Sequence, residues 1–171
     1  LGTLALETPT DGDPLTRTQS VKVRSSIQDI AIGDVNGDGS TDVCVLFNEE
    51  GVESFVLLGG RKKRRVLLYP ETQTLGYSLL SVALADLDSD GNDEVVVGPN
   101  HGVAPEVEVL SLGNSGAFAP QARVPLAAVK RLVRVQGGVL AVVDYDQQTF
   151  EPAGQAPWLG RDGVYLIDSK A

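Results

Sequence analysis

The sequence predicts an all-β chain assembled from repeated four-stranded antiparallel units. The first observation behind this is a gapless internal repeat: residues 30–45 match residues 82–97 at an offset of 52. The second is the run of short apolar segments bounded by Gly, Pro, Asn and Asp, with no long helical pattern and caps anywhere. The third is composition. Glycine is abundant at 19 residues, aromatics are scarce at 5%, and 42% hydrophobic with 22% charged residues is an ordinary globular balance. The 171 residues are enough for one domain with a sizeable core.

Each element follows from the repeat. An apolar strand is expected before each acidic loop and another after it, over 43–47 and 95–97. Turns at 48–51 and 99–102 lead to third strands over 53–58 and 106–112. Fourth strands are expected over 65–69 and 121–126. The stretch Glu106-Val107-Glu108-Val109 alternates polar and apolar, as a half-exposed strand should. A further offset of 52 reaches Gly138, where the flanking strands persist but the loop shrinks to Gln136-Gly137-Gly138. After a long loop at 144–160, one more strand is expected over 164–168. Two N-terminal strands, over 3–6 and 20–24, flank a Pro-Thr-Asp-Gly-Asp-Pro turn. Four strands per repeat in a meander, at a spacing close to known blade repeats, describe β-propeller blades. The expected division is a partial blade at 1–26, blades at 27–76 and 77–128, and a degenerate blade at 129–171. About 13 strands do not complete four blades of four, so the array is expected to be part of a larger propeller. The chain begins at Leu1 and contains no methionine, which points to a processed product or a piece of a longer chain.

The acidic loops carry the chemistry. In residues 34–42, oxygen-bearing side chains fall at loop positions 1, 3, 5 and 9: Asp34, Asn36, Asp38 and Asp42. In residues 86–94 the same positions hold Asp86, Asp88, Asp90 and Glu94. Spacing by two in a tightly wound loop aims successive side chains at one centre. Gly39 and Gly91 at position 6 permit the positive φ of a sharp turn. Ser40 and Asn92 at position 7 would add backbone carbonyls. An all-oxygen set with flexible geometry suits Ca2+; zinc would want Cys or His. An EF-hand would need a bidentate Glu at position 12, where Val45 and Val97 stand, and helices where strands are expected. Two sites are therefore expected, and because they lie in different blades, losing one should leave the other.

This constellation resembles the FG-GAP and VCBS repeats, propeller blades with a D-x-D-x-D-G-x-x-D loop that also build the integrin α-subunit propellers. The resemblance is strongest over 27–126. It implies that Asp34, Asn36, Asp38 and Asp42, and Asp86, Asp88, Asp90 and Glu94, are side-chain calcium ligands. The literal Phe-Gly and Gly-Ala-Pro elements are missing, and Glu94 is a departure that keeps the carboxylate.

The formal charge of −9 is concentrated in these loops. Seven of the 23 carboxylates occupy their ligand positions, which leaves 16 against 14 basic residues. Two bound divalent cations would bring −9 to −5. No basic face of the kind a nucleic-acid binder shows is expected. No apolar run approaches the roughly 20 residues that span a bilayer.

Other features admit two readings each. The basic run Arg61-Lys62-Lys63-Arg64-Arg65 is a solvated turn or a polyanion or protease site. The loop at 144–160, with Tyr145, Phe150 and Trp158, is a lid over a blade edge or a recognition loop. Cys44 reads as a buried free thiol and His101 as a surface turn residue. No phosphate loop or nucleophile elbow is present, and no catalytic or cofactor-binding residue is assigned. The leading expectation is a calcium-stabilised secreted or surface-exposed binding or adhesion module for a protein or glycan, placed outside the cell, on its surface or in a periplasm. Alternatives are a propeller of a polysaccharide-active enzyme, or a structural segment of a larger assembly. Apolar faces at 132–135 and 139–143 are expected to be open for further blades, a second copy or another subunit.

Overall fold

A computed structural model describes residues 2–7, 17–23, 26–49, 52–59, 67–68, 73–75, 78–101, 106–114, 116–126, 129–144 and 162–168, with side chains over 26–47, 81–98, 106–114, 116–126, 129–144 and 162–168. These residues form antiparallel sheets only, and none of their segments is a helix long and apolar enough to cross a membrane. The basic run at 61–65 and most of the 144–160 loop lie outside them.

The first sheet pairs β1 (Gly2–Glu7) with β2 (Arg17–Val23). The second runs β3 (Ser26–Gly33), β4 (Asp42–Glu49) and β5 (Val52–Gly59), with the short β6 (Leu67–Leu68) and β7 (Gln73–Leu75) both paired to β5. The third is a four-strand meander of β8 (Ser78–Ala85), β9 (Glu94–His101), β10 (Val107–Leu112) and β11 (Phe118–Val124). The fourth joins β12 (Val129–Val135), β13 (Gly138–Val143) and β14 (Gly163–Ile167). All-β blades with this meander are the expected architecture.

Local details depart from expectation. The fourth strand of the second sheet is two pieces, β6 and β7, and β7 was not foreseen. The fourth strand of the third sheet lies over Phe118–Val124, upstream of the expected 121–126. Pro99, Asn100 and His101 belong to β9, not to a turn. Pro99 pairs with Leu79 beside a register shift, a bulge position where a missing N–H is tolerated. Likewise β4 runs to Glu49, which pairs with Val52, so Asn48 and Glu49 of the expected turn are strand residues.

Side-chain alternation explains how the sheets stack. Along β8 and β9, Val82, Leu84, Val95 and Val97 pack against Cys44 and Leu46 of the second sheet. Their neighbours Ala83, Ala85 and Val96 pack against Val129, Leu132, Val139 and Ala141 of the fourth. A sheet segment buried on both faces favours apolar residues at successive positions, which is why residues 82–85 of β8 and 95–97 of β9 read as apolar runs. Cys44 lies in this core, where burial pushes its thiol pKa up, so it is unsuited to bind metal or react.

The inner strands β3, β8 and β12 lie side by side. Each carries a bulge near its start, between Ile27 and Asp29, Leu79 and Ser81, and Val129 and Arg131. The bulges aim a polar tie across the sheets. The Ser81 hydroxyl donates to Asp29 Oδ2 at 2.6 Å and accepts from the Leu132 N–H at 2.9 Å. Asp29 Oδ2 also accepts from the Val82 N–H at 3.0 Å. One side-chain pair thus links three sheets.

The open faces are only partly where the sequence places them: Val133 is exposed, but Leu132 beside it is not. Leu132, Val139, Ala141 and Val143 are buried against the third sheet. Among the described residues, the exposed large apolar side chains are Val133, Val164 and Leu166 on the far side of the fourth sheet, and Ile30 and Ile32 on β3. Period-2 alternation sends neighbouring residues to opposite faces, so a run of apolar residues does not all look the same way. The face carrying Ile30 and Ile32 is covered over β4, where Val43, Val45 and Phe47 are buried, and open over β3.

Candidate metal centre

The two acidic loops leave the ends of β3 and β8 and return into β4 and β9. An apolar side chain at position 2 roots each loop in the core: Val35 in the cluster between the second and third sheets, Leu87 in that between the third and fourth. With position 2 pointing inward, the side chains at positions 3 and 5 are exposed on the outside of each loop.

The loops share their hydrogen bonds position by position. The position 1 carboxylate accepts from the N–H of positions 5 and 6: Asp34 from Asp38 at 3.1 Å and Gly39 at 2.8 Å, and Asp86 from Asp90 at 3.1 Å and Gly91 at 3.2 Å. The position 3 oxygen also accepts from the position 5 N–H, at 2.9 Å for Asn36 and 3.1 Å for Asp88. The position 5 carboxylate accepts from the position 7 N–H, at 2.8 Å for Asp38 and Ser40 and 2.7 Å for Asp90 and Asn92. The position 9 carboxylate turns back to the position 2 N–H, at 3.0 Å for Asp42 and 2.8 Å for Glu94.

Backbone conformation repeats too. Gly39 and Gly91 at position 6 have φ of 76° and 94°. Position 4 is also left-handed, with φ of 67° at Gly37 and 66° at Ser89. Glycine takes that conformation without strain; Ser89 is held in it by the wound loop. Position 4 was not singled out from sequence, because Ser89 masks what Gly37 advertises.

In the second loop, one oxygen from each of Asp86, Asp88 and Glu94 lies within 4.8 Å of the others. Asp90 stands outside that triad, its second oxygen accepting from Asn92 Nδ2 at 3.0 Å. The first loop has Asn36 in place of the second carboxylate, and it is not among the carboxylate triads of the described residues. Gln121, on β11, donates to Asp88 Oδ2 at 2.8 Å and was missed from sequence. Asp86 borders a polar cleft of about 460 Å³ beside Arg134 and the Gln136–Gly138 turn, so water and small ions reach it. The donors are all oxygen, which fits a hard cation held by carboxylates, an amide and carbonyls and does not fit zinc.

Glu94 is 2% exposed. Burial pushes its pKa from 4.5 up to about 7, repulsion from Asp88, Asp90 and Asp86 adds to this, and the Leu87 N–H opposes it. The raised value means that the metal-free fold is penalised by the buried carboxylate above about pH 7 and relieved of that penalty as pH falls from about 7 towards 4.5. A cation must displace this proton. Calcium affinity at the second loop is therefore expected to fall by about tenfold between pH 8 and pH 6. Titration with a calcium-selective electrode at the two pH values checks this, and a pH-independent affinity would remove Glu94 from the ligand set.

Asp93, at position 8, was also missed. It is 6% exposed, and its Oδ2 accepts from the Asp34 N–H at 2.7 Å and from Arg134 Nη1 at 2.8 Å. Its own N–H donates to the Asp34 carbonyl at 2.8 Å. One residue of the second loop thus holds the first loop on one side and β12 on the other.

Residues 34–97, from the start of the first loop to the strand after the second, match the FG-GAP-like repeat family. No curated protein shows significant similarity to the chain. Two loops alike in hydrogen bonding and backbone conformation, each joining antiparallel strands at the edge of a stacked sheet, thus lie within the stretch that matches the FG-GAP-like repeat family.

Proposed function

We propose that this protein is a calcium-stabilised, non-catalytic binding module that works outside the cytoplasm and presents an array of β-propeller blades to a protein or glycan. The observation that carries the reading is that two loops with oxygen side chains at positions 1, 3, 5 and 9 share their hydrogen bonds position by position, within a stretch that matches the FG-GAP-like repeat family. Asp34, Asn36, Asp38 and Asp42, with the Ser40 carbonyl, would hold one ion. Asp86, Asp88, Asp90 and Glu94, with the Asn92 carbonyl, would hold the other. Each ion would neutralise carboxylates that otherwise repel and would tie the end of one strand to the start of the next. On this reading successive blades span 27–76, 77–128 and 129–171, with a partial one at 1–26. The exposed apolar residues of β3 and of the fourth sheet suit further blades, from a longer chain, a second copy or another subunit.

Calcium bound only by the folded state stabilises it by RT ln(1 + [L]/Kd). With the Kd of about 10⁻⁴ to 10⁻³ M usual for extracellular modules, millimolar calcium contributes roughly 0.4–1.4 kcal/mol per site. Chelation is expected to lower the melting temperature, and magnesium to restore it poorly, because magnesium demands stricter geometry and keeps its water. A melt unchanged by excess chelator, after verified removal of metal, would count against the reading.

A further inference from the structure

We infer that the two loops bind calcium cooperatively and that Asp93 is the positioning residue that couples them. This rests on the calcium reading above and departs from the expectation that losing one site leaves the other.

The coupling is visible as a clamp. Asp93 directly precedes Glu94, whose carboxylate closes the second loop onto the Leu87 N–H. Its side chain and its backbone each bond Asp34, accepting from the Asp34 N–H at 2.7 Å and donating to the Asp34 carbonyl at 2.8 Å. Asp34 is position 1 of the first loop, and its carboxylate organises that loop by taking the N–H groups of Asp38 and Gly39. A ligand residue of one site is therefore bonded twice to the neighbour of a ligand residue of the other.

The surroundings prevent the clamp from slipping. Gly33 packs so closely on Asp93 that a Cβ there would collide with its carboxylate and stand 2.8 Å from the Leu84 Cβ. A Cβ on Gly37 would collide with Asn92 Oδ1, so the second loop also touches the first at position 4. From the other side, Arg134 holds the Asp93 carboxylate at 2.8 Å. Filling the second loop fixes Glu94 and with it Asp93, so the first loop meets its ion with less ordering left to do. By linkage, filling the first loop favours the second to the same degree.

The test is a calcium titration of the metal-free chain at about physiological ionic strength, where repulsion between bound ions is screened. Asp90→Ala should abolish the second site and weaken the first by about fivefold or more, the lower end of usual coupling. In an Asp93→Ala background the same substitution should leave the first site within about twofold, because the link is already cut. Asp93→Asn should preserve the coupling, since its amide oxygen still accepts the Asp34 N–H. That rescue separates a positioning role from general loss of structure. Should Asp93→Ala not fold, Asp90→Ala alone decides: an unchanged first site overturns the coupling while leaving two calcium sites in place. A wild-type chain that takes up no calcium at millimolar concentration overturns the calcium reading and the coupling together.

Discussion

Asp93→Ala is expected to lower stability by about 2 kcal/mol, and Asp93→Asn by less than about 1 kcal/mol, even in excess chelator. The alanine variant strands the Asp34 N–H, a part-buried donor, and an unsatisfied buried polar group costs about 1–3 kcal/mol. It also opens a small gap beneath Gly33 and removes the ion pair with Arg134. The asparagine variant keeps an oxygen for the Asp34 N–H and loses only the charge. Because the Arg134 side chain is 51% exposed, solvent screens the pair, and exposed pairs are worth about 0.2–1 kcal/mol. Chemical denaturation of the three proteins checks the order. Equal losses for the two variants would mean that the ion pair, not the backbone hydrogen bond, holds the loops together.

The acidic loops were legible in the sequence because their shared hydrogen bonding constrains residue type at fixed positions. Oxygen at positions 1, 3, 5 and 9 and glycine at position 6 leave a signature that survives in both copies. The strands around them were legible for a similar reason, since β8 and β9 are buried on both faces and admit little but apolar residues. What joins the copies was not legible. Asp29 and Ser81 occupy equivalent positions one repeat apart, yet nothing in an Asp and a Ser at that spacing says that the second donates to the first. Asp93 looks like one more acid in an acidic loop, and its partners, Asp34 and Arg134, come from repeats on either side. Contacts between repeats have no period along the chain. The strand errors have smaller causes. β7 is three residues long and shares β5 with β6, and Pro99 sits in β9 only because the ladder is irregular there.

Leu84→Ala is expected to cost about 2–5 kcal/mol, while Ile32→Ala costs less than about 0.5 kcal/mol. The two residues are equivalent, one repeat of 52 residues apart on the inner strands β8 and β3. Leu84 is 1% exposed and packs between the second and third sheets, so truncation loses its transfer free energy and leaves a cavity. Ile32 is 62% exposed and has little burial to lose. Two apolar residues of equal size at the same position in the same kind of strand thus differ in whether a neighbouring blade covers them, and the pair of measurements reads that cover. Denaturation of the isolated chain gives both values, and light scattering gives its mass. An Ile32→Ala cost above about 1 kcal/mol would mean that another blade covers β3 in solution. A doubled mass alongside it would assign that cover to a second copy, whose exposed Val133, Val164 and Leu166 are the apolar surface at the other end of the same array.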